Sequence, residues 1–158
     1  MDQALIVSFI LSVMTASTPL LLAATGELFT ERSGVLNLGV EGMMLVGAIV
    51  GFATTVHTGS ATLGILFAVL AGMGMALIFG ILTLTFLANQ VATGLALTIF
   101  GTGLSALVGS GYVGTAVQPL PKLALPGLSD LPFVGPILFG QDALVYVSLA
   151  AVAGVAWF

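Results

Sequence analysis

The chain has 158 residues, of which 59% are hydrophobic and only 5% are charged, and its formal net charge is −4 at pH 7. A typical soluble domain carries about 25% charged residues, so this composition excludes a globule that faces water with a polar surface. Two basic residues cannot form a nucleic-acid interface, and the lack of cysteine excludes disulfides, thiolate catalysis and soft-metal sites. The composition predicts an all-α polytopic transmembrane bundle, with no enzymatic activity, cofactor or metal.

Long apolar stretches separated by short polar ones predict membrane-spanning helices. Four stretches are long enough to cross the hydrocarbon, and they cover about residues 4–24, 35–56, 61–87 and 91–108. A fifth begins near Ala143 and stops at Phe158, short of the roughly 20 residues that a spanning helix needs. We expect a single transmembrane domain over residues 1–158, with four full spans and a truncated fifth.

The connections between these segments differ in length and composition. Residues 57–60 and 88–90 are tight turns, which make the helices on either side antiparallel neighbours. Residues 109–142 hold all but one of the six prolines together with Lys122, and this proline spacing forbids a continuous helix. We expect this long loop to lie in water outside the membrane. Arg32 lies in a short connection close to its helices, which favours the inner face for Arg32 and the outer face for the long loop.

Small residues recur at four-residue spacing along the third and fourth segments. In lipid this pattern lets helices approach closely, so we interpret these positions as packing seams without chemistry. They are Gly64, Ala68, Gly72, Ala76, Gly80, Gly94 and Thr98. The G-x-G-x-x-G pattern at residues 109–114 follows a membrane helix instead of a strand, so we interpret it as the end of a helix and not as a dinucleotide site.

Polar residues concentrate between segments one and two, around Asn37 and Glu41. These two are four residues apart, so on a helix they would share a face at or below the membrane surface. An ionisable group at that depth indicates a functional site, because its desolvation costs free energy. The alternative interpretation is structural: Glu41 would brace an interrupted helix by accepting backbone hydrogen bonds, while Arg32 neutralises Glu27 or Glu31.

Two further polar positions lie outside this cluster. Asn89, with Gln90, occupies the turn between segments three and four, where it is either a polar turn residue in water or part of an amide pair that faces a pore. His57 stands alone at the end of segment two, and a single histidine does not make a metal site. We interpret it as an interfacial residue.

Residues 31–48 read Glu-Arg-Ser-Gly-Val-Leu-Asn-Leu-Gly-Val-Glu-Gly-Met-Met-Leu-Val-Gly-Ala. This block closely resembles the signature of bacterial ABC importer permeases of the simple-sugar and nucleoside branch, in the superfamily of ribose and branched-chain amino acid permeases. Residues 88–98 and 126–132 resemble two further blocks of that branch, in the expected order. The resemblance covers essentially the whole chain, which corresponds to the amino-terminal half of such a permease.

The resemblance implies a multi-pass subunit of the bacterial plasma (inner) membrane. Its partners would be the lipid bilayer, a second permease subunit, an ABC ATPase and an extracytoplasmic substrate-binding lipoprotein, which the long loop would face. Asn37, Glu41 and Asn89 would line or brace the path of a nucleoside or simple sugar. Phe100 and Tyr112 are candidates for stacking on a nucleoside base. The region that receives the ATPase would lie in the other half of the permease.

Two other functions remain open from the sequence. One is a small self-sufficient channel or proton-coupled carrier that uses Glu41 and His57, which predicts flux without ATP that is lost in the Glu41→Gln variant. The other is a membrane subunit that does not transport, and is structural or regulatory. It predicts binding to an ATPase without flux in any reconstitution.

Overall fold

The computed structural model describes residues 3–123 and 134–157. Its α-helices in chain order are α1 (Gln3–Arg32), α2 (Val40–Thr58), α3 (Ala61–Gly80), α4 (Gln90–Gly109), α5 (Val134–Phe139) and α6 (Ala143–Trp157). α3 continues directly into a π-helix over Ile81–Thr85, and a 3-10 turn over Ser110–Tyr112 follows α4. By length and composition, four of the described helices can cross a membrane. The predicted all-α polytopic fold is confirmed.

Two helix boundaries around the polar cluster differ from the prediction. α1 continues past residue 24 to Arg32, so its last two turns extend beyond the apolar run and carry polar residues. α2 begins only at Val40, so residues 33–39 are not helical. Gly34 has φ +79°, a left-handed conformation that glycine adopts at no steric cost and that turns the chain out of α1.

The described part of the predicted loop over residues 109–142 contains only short helical elements and no continuous helix. The 3-10 turn extends α4, and α5 lies within the range, with Pro136 in its first turn, where a missing N–H costs no helical hydrogen bond. Leu123 N donates to Gln141 O over 2.9 Å, which joins the middle of this range to its carboxyl-terminal end. The block at residues 126–132 lies outside the described residues.

By backbone contacts the chain divides into two units, and the first comprises Met1–Gly26 and Leu120–Phe158. In this unit the Tyr146 hydroxyl donates to Leu138 O over 2.9 Å, which links α6 to α5. Asp142 accepts a hydrogen bond from a backbone N–H in the first turn of α6, so it caps that helix. Short-range hydrogen bonds thus hold the α5–α6 connection together.

The second unit comprises Glu27–Pro119 and contains α2, α3, the π-helix and α4. α2 packs against both α3 and α4, around a core of Met43, Val46, Met75, Phe79 and Leu97. α3 runs antiparallel to α2 after the tight turn at Gly59, whose φ of +68° requires a left-handed conformation. α2 is therefore the central helix of this unit.

The small residues of α3 contact α2 over the first half of the helix. A side chain at Gly64 would overlap Thr55, and one at Gly51 would come within 2.9 Å of the Ala68 Cβ. Around Gly72 and Gly80, by contrast, nothing lies within 4 Å of an added Cβ, and Ala76 is exposed. The α2–α3 seam therefore uses Gly64 and Ala68, whereas Gly72, Ala76 and Gly80 lie outside that seam.

Candidate functional site

Non-helical backbone runs alongside α4 between the end of α1 and the start of α2. The Leu36 N–H donates to Gln90 Oε1 over 2.7 Å, and the Leu38 carbonyl accepts from Thr98 Oγ1 over 2.8 Å. Gln90 and Thr98 are eight residues apart on α4, which corresponds to about 12 Å of helix rise. Residues 36–39, called the connecting segment below, therefore follow the first two turns of a membrane-spanning helix.

Side chains satisfy the backbone of the connecting segment. Glu27 Oε1 accepts from the Asn37 N–H over 3.2 Å, and Asn37 Oδ1 accepts from the Gly39 N–H over 2.9 Å. In hydrocarbon, backbone groups without partners cost several kcal/mol, so irregular backbone is tolerated there only where protein or a water-filled cavity surrounds it. Glu27, Gln90 and Thr98 supply the partners that a helix would otherwise supply to itself.

Two glycine contacts allow the connecting segment and α2 to approach α4 this closely. A Cβ at Gly94 would lie 2.7 Å from Leu38 N and 2.9 Å from Gly39 N. A side chain at Gly101 would overlap the backbone of Gly42. Because backbone atoms cannot move aside as a side-chain tip can, these positions accept only glycine without a shift of the helices.

The predicted pair Asn37 and Glu41 does not share a helix face, because Asn37 precedes the first residue of α2. Asn37 is buried, with 7% of its surface exposed, and its Nδ2 lies 3.6 Å from Met43 Sδ. Glu41 is exposed in the first turn of α2, where a carboxylate is favoured by the helix dipole. The bracing role predicted for Glu41 belongs to Glu27, since no described residue is bonded to the Glu41 carboxylate.

Asn89 is exposed and forms the N-cap of α4, where its Oδ1 accepts from Ala92 N over 3.0 Å. It also lines a cleft of about 480 Å³ along α4, together with Phe100 and residues at the end of the α3 region. The structure thus gives Asn89 the capping role of a turn residue and places it beside an open space. The side chain of its neighbour Gln90 is hydrogen-bonded to the connecting segment.

His57 lies at the other end of α2, where it forms a 2.9 Å hydrogen bond with the Tyr112 hydroxyl. The Tyr112 ring packs edge-on against Phe52, with ring centroids 5.9 Å apart. A second cleft, of about 540 Å³ and with a mostly apolar lining, ends at His57. Glu41 and His57 are sixteen residues apart on one helix, about 24 Å of rise, so they form no common site.

The sequence interpretation named Glu27, Gln90 and Thr98 but missed the hydrogen bonds that bring them together. Glu27, Gln90 and Thr98 reach the connecting segment from two helices, and no local spacing reveals a bond between residues 54 positions apart. The π-helix over Ile81–Thr85 was also missed; behind it Leu87 has φ +54°, an uncommon conformation for a side chain of this size. For Gln90 the available sequence signal was the Asn-Gln turn, which marked the start of α4 as polar.

Comparison with known proteins agrees with the resemblance of residues 31–48. The chain is 44% identical to the putative glucose ABC transporter permease protein TsgC13 of Haloferax volcanii, over 93% of this chain and 46% of that protein. It is 31% identical to the guanosine ABC transporter permease protein NupQ of Bacillus subtilis, over 100% and 53%. It is 29% identical to the nucleoside ABC transporter permease protein NupC of Lactococcus lactis subsp. cremoris, over 93% and 50%. No solved structure matches the chain.

The chain spans about half the length of the curated relatives it matches. A family match extends over residues 9–158, to the family described as branched-chain amino acid transport system / permease component. The recognition of this superfamily from the sequence is confirmed, and with it a multi-pass location in the plasma membrane. A match over nearly the whole sequence, together with four described helices that are long and apolar enough to cross a membrane, shows that this chain belongs to the family of branched-chain amino acid transport permease components, which are not enzymes.

Proposed function

We propose that this chain forms part of the translocation path in the permease subunit of an ABC importer for a nucleoside or a simple sugar. The observation that carries the proposal is the connecting segment, which lies without helical hydrogen bonds beside a membrane-spanning helix. A separate ATPase would drive transport, and a second permease subunit and an extracytoplasmic binding lipoprotein would complete the complex.

Irregular backbone inside a membrane has a cost that needs a compensating use. Transporters place such interrupted segments near the midplane, where helix ends and freed backbone groups meet the substrate. Here Glu27 and Gln90 hold the segment from α1 and α4, so it can keep one conformation without water. A fixed, non-helical element beside two glycine contacts suits the wall of a path better than it suits a simple membrane anchor.

The three candidate residues have different roles in this proposal. Asn37 is buried and braces the connecting segment through its amide oxygen. Glu41 presents a carboxylate at the exposed start of α2, where it would face the path or its entrance. Asn89 caps α4 and borders the cleft of about 480 Å³. Only the last two therefore have polar atoms available to a substrate.

The names of the relatives guide the choice of substrate. They are designated permeases for glucose, guanosine and nucleosides. A glucose and a nucleoside share a hydroxyl-rich sugar ring, so amide and hydroxyl groups can recognise either. We extend this substrate class to the present chain.

The test is uptake by cells that express the complete permease with its ATPase, second permease and binding lipoprotein. We expect accumulation of labelled guanosine or labelled glucose that stops when the ATPase is replaced by a variant unable to hydrolyse ATP. The wild-type and the ATPase variant must reach the same level in the membrane. A complex that assembles but transports neither solute would contradict the proposal and support a non-transporting subunit.

The proton-coupled carrier is not favoured by the arrangement of its two residues. Glu41 and His57 are about 24 Å apart along α2, too far for direct proton exchange, and His57 is hydrogen-bonded to Tyr112. If proteoliposomes that contain the permease without its ATPase showed solute flux that Glu41→Gln abolished, this alternative would replace our proposal.

A further inference from the structure

The cleft of about 480 Å³ lies along α4, beside the π-helix that ends the α3 region. Its lining includes Leu82 on the π-helix and Asn89, Thr93, Ala96 and Phe100 along α4. Thr93, Ala96 and Phe100 follow each other at intervals of three and four residues, so they form one stripe along α4, and Asn89 caps the helix just before this stripe. The cleft therefore presents a continuous face of α4.

This face has a polar end and an aromatic end. Asn89 Oδ1 is used in the cap of α4, but its Nδ2 and the Thr93 hydroxyl have no hydrogen-bond partner among the described residues. At the other end the Phe100 side chain is 53% exposed. Thr93 and Phe100 are seven residues apart, about 10.5 Å of helix rise.

The lining between the two ends consists of small side chains. Ala92 and Ala96 lie there, and their side chains are single methyl groups. Long side chains on a helix lean towards its N-terminus, so we expect the Phe100 ring to lie over the turn that contains Ala96. A planar group could therefore rest on the alanines and against the aromatic ring.

The wall opposite α4 has a fixed conformation. The Leu82 carbonyl accepts from the Ala88 N–H over 2.9 Å, which closes the turn after the π-helix. π-helical turns are rare and occur frequently at functional sites. Leu82 of this π-helix borders the cleft.

We infer that this cleft binds a nucleoside, with the base against Phe100 and the sugar hydroxyls at Asn89 and Thr93. A nucleoside has a flat ring and a hydroxyl-rich ring joined end to end, which matches the two ends of the cleft. A single hexose would reach only one of them. Tyr112, the other aromatic candidate, is engaged by His57 and Phe52 at the far end of the unit. The inference rests on the proposed transport function and adds its substrate class and contact residues.

The first test compares variants in the complete transporter, with its ATPase and binding protein, by the apparent KM for guanosine uptake. Phe100→Ala should raise this KM about tenfold through the loss of one base–aromatic contact, whereas Phe100→Tyr should leave it nearly unchanged. Phe67→Ala is the matched control, because Phe67 is similarly exposed but lines the cleft at His57. Equal KM values for Phe100→Ala and Phe67→Ala would overturn the inference.

Labelled glucose separates this inference from the proposed function. A transporter that accumulates glucose and not guanosine would overturn the nucleoside assignment and leave ATP-driven import standing. Wild-type cells that accumulate neither solute would overturn the proposed function itself. Guanosine uptake that unlabelled guanosine inhibits and glucose does not would support the inference.

The second test isolates the Asn89 amide from its capping role. Asn89→Asp keeps an oxygen that can accept from Ala92 N but replaces the amide donor by an acceptor-only carboxylate. We expect a higher KM for guanosine with an unchanged unfolding temperature, whereas Asn89→Ala should lower both affinity and that temperature. An Asn89→Asp variant with the wild-type KM would overturn the role of the amide.

Discussion

The two ends of the α2–α4 pair are held together by different interactions. At the start of α2, side chains from α1 and α4 bind the backbone of the connecting segment, and glycines bring backbone against backbone. At the end of α2, His57 and Tyr112 bind each other across a largely apolar cleft, and the backbone is helical. At the first end, the backbone groups bonded by these side chains have no hydrogen-bond partner within a helix. We therefore expect substitutions there to cost more stability than those at the second end.

The largest effect is expected at the glycine contact between α2 and α4. Gly101→Ala places a Cβ into the backbone of Gly42, so the helices must separate, at a cost of about 3 kcal/mol. Gly103→Ala on the same helix is the matched control, because nothing lies within 4 Å of its added Cβ. Thermal unfolding of the detergent-solubilised protein measures both. Equal unfolding temperatures would show that the close approach is not essential.

An intermediate effect is expected where α4 holds the connecting segment. Gln90→Leu removes the acceptor of the Leu36 N–H and should destabilise the protein by about 1–3 kcal/mol, the cost of an unsatisfied backbone donor. Gln90→Glu keeps an acceptor at the same reach and should remain close to the wild type. The measurement is the shift in unfolding temperature of each variant. If both variants behaved alike, the hydrogen bond would not be what fixes the segment.

The smallest effect is expected at the far end of α2. Tyr112→Phe removes the hydroxyl that pairs with His57 but keeps the ring beside Phe52, so it should cost about 0.5–1.5 kcal/mol. A double-mutant cycle with His57→Ala measures the coupling of the pair directly. A cost above that of Gln90→Leu would reverse the ranking of the two ends.

The family resemblance was readable because it lies in contiguous blocks. Residues 31–48 carry the polar cluster in one run, so the sequence alone identified the superfamily and the region of interest. The roles inside that region were not readable. One of the two interpretations of the sequence made Glu41 the brace, but Glu27 accepts the backbone hydrogen bond of Asn37. Glu27 and Glu41 are both close to the connecting segment in sequence. The direction in which α1 ends determines that Glu27 reaches it.

Small-residue stripes show a similar limit. Four-residue spacing predicts surfaces where helices can meet, but the spacing is as regular around Gly72 as around Gly64. Only the second of these faces a neighbour in the described part of the chain. A stripe of small residues makes close approach of two helices possible, whereas the crossing of the helices determines where the approach occurs.

Composition and apolar periodicity by themselves determined that this protein crosses the membrane as a set of helices, because each helix satisfies its backbone from within and needs only a long apolar run. The end of α1 at Arg32, the start of α2 at Val40 and the open segment between them were decided by tertiary structure. Their backbone groups are bound by Glu27, Gln90 and Thr98, and two of these three residues come from a helix more than fifty positions away.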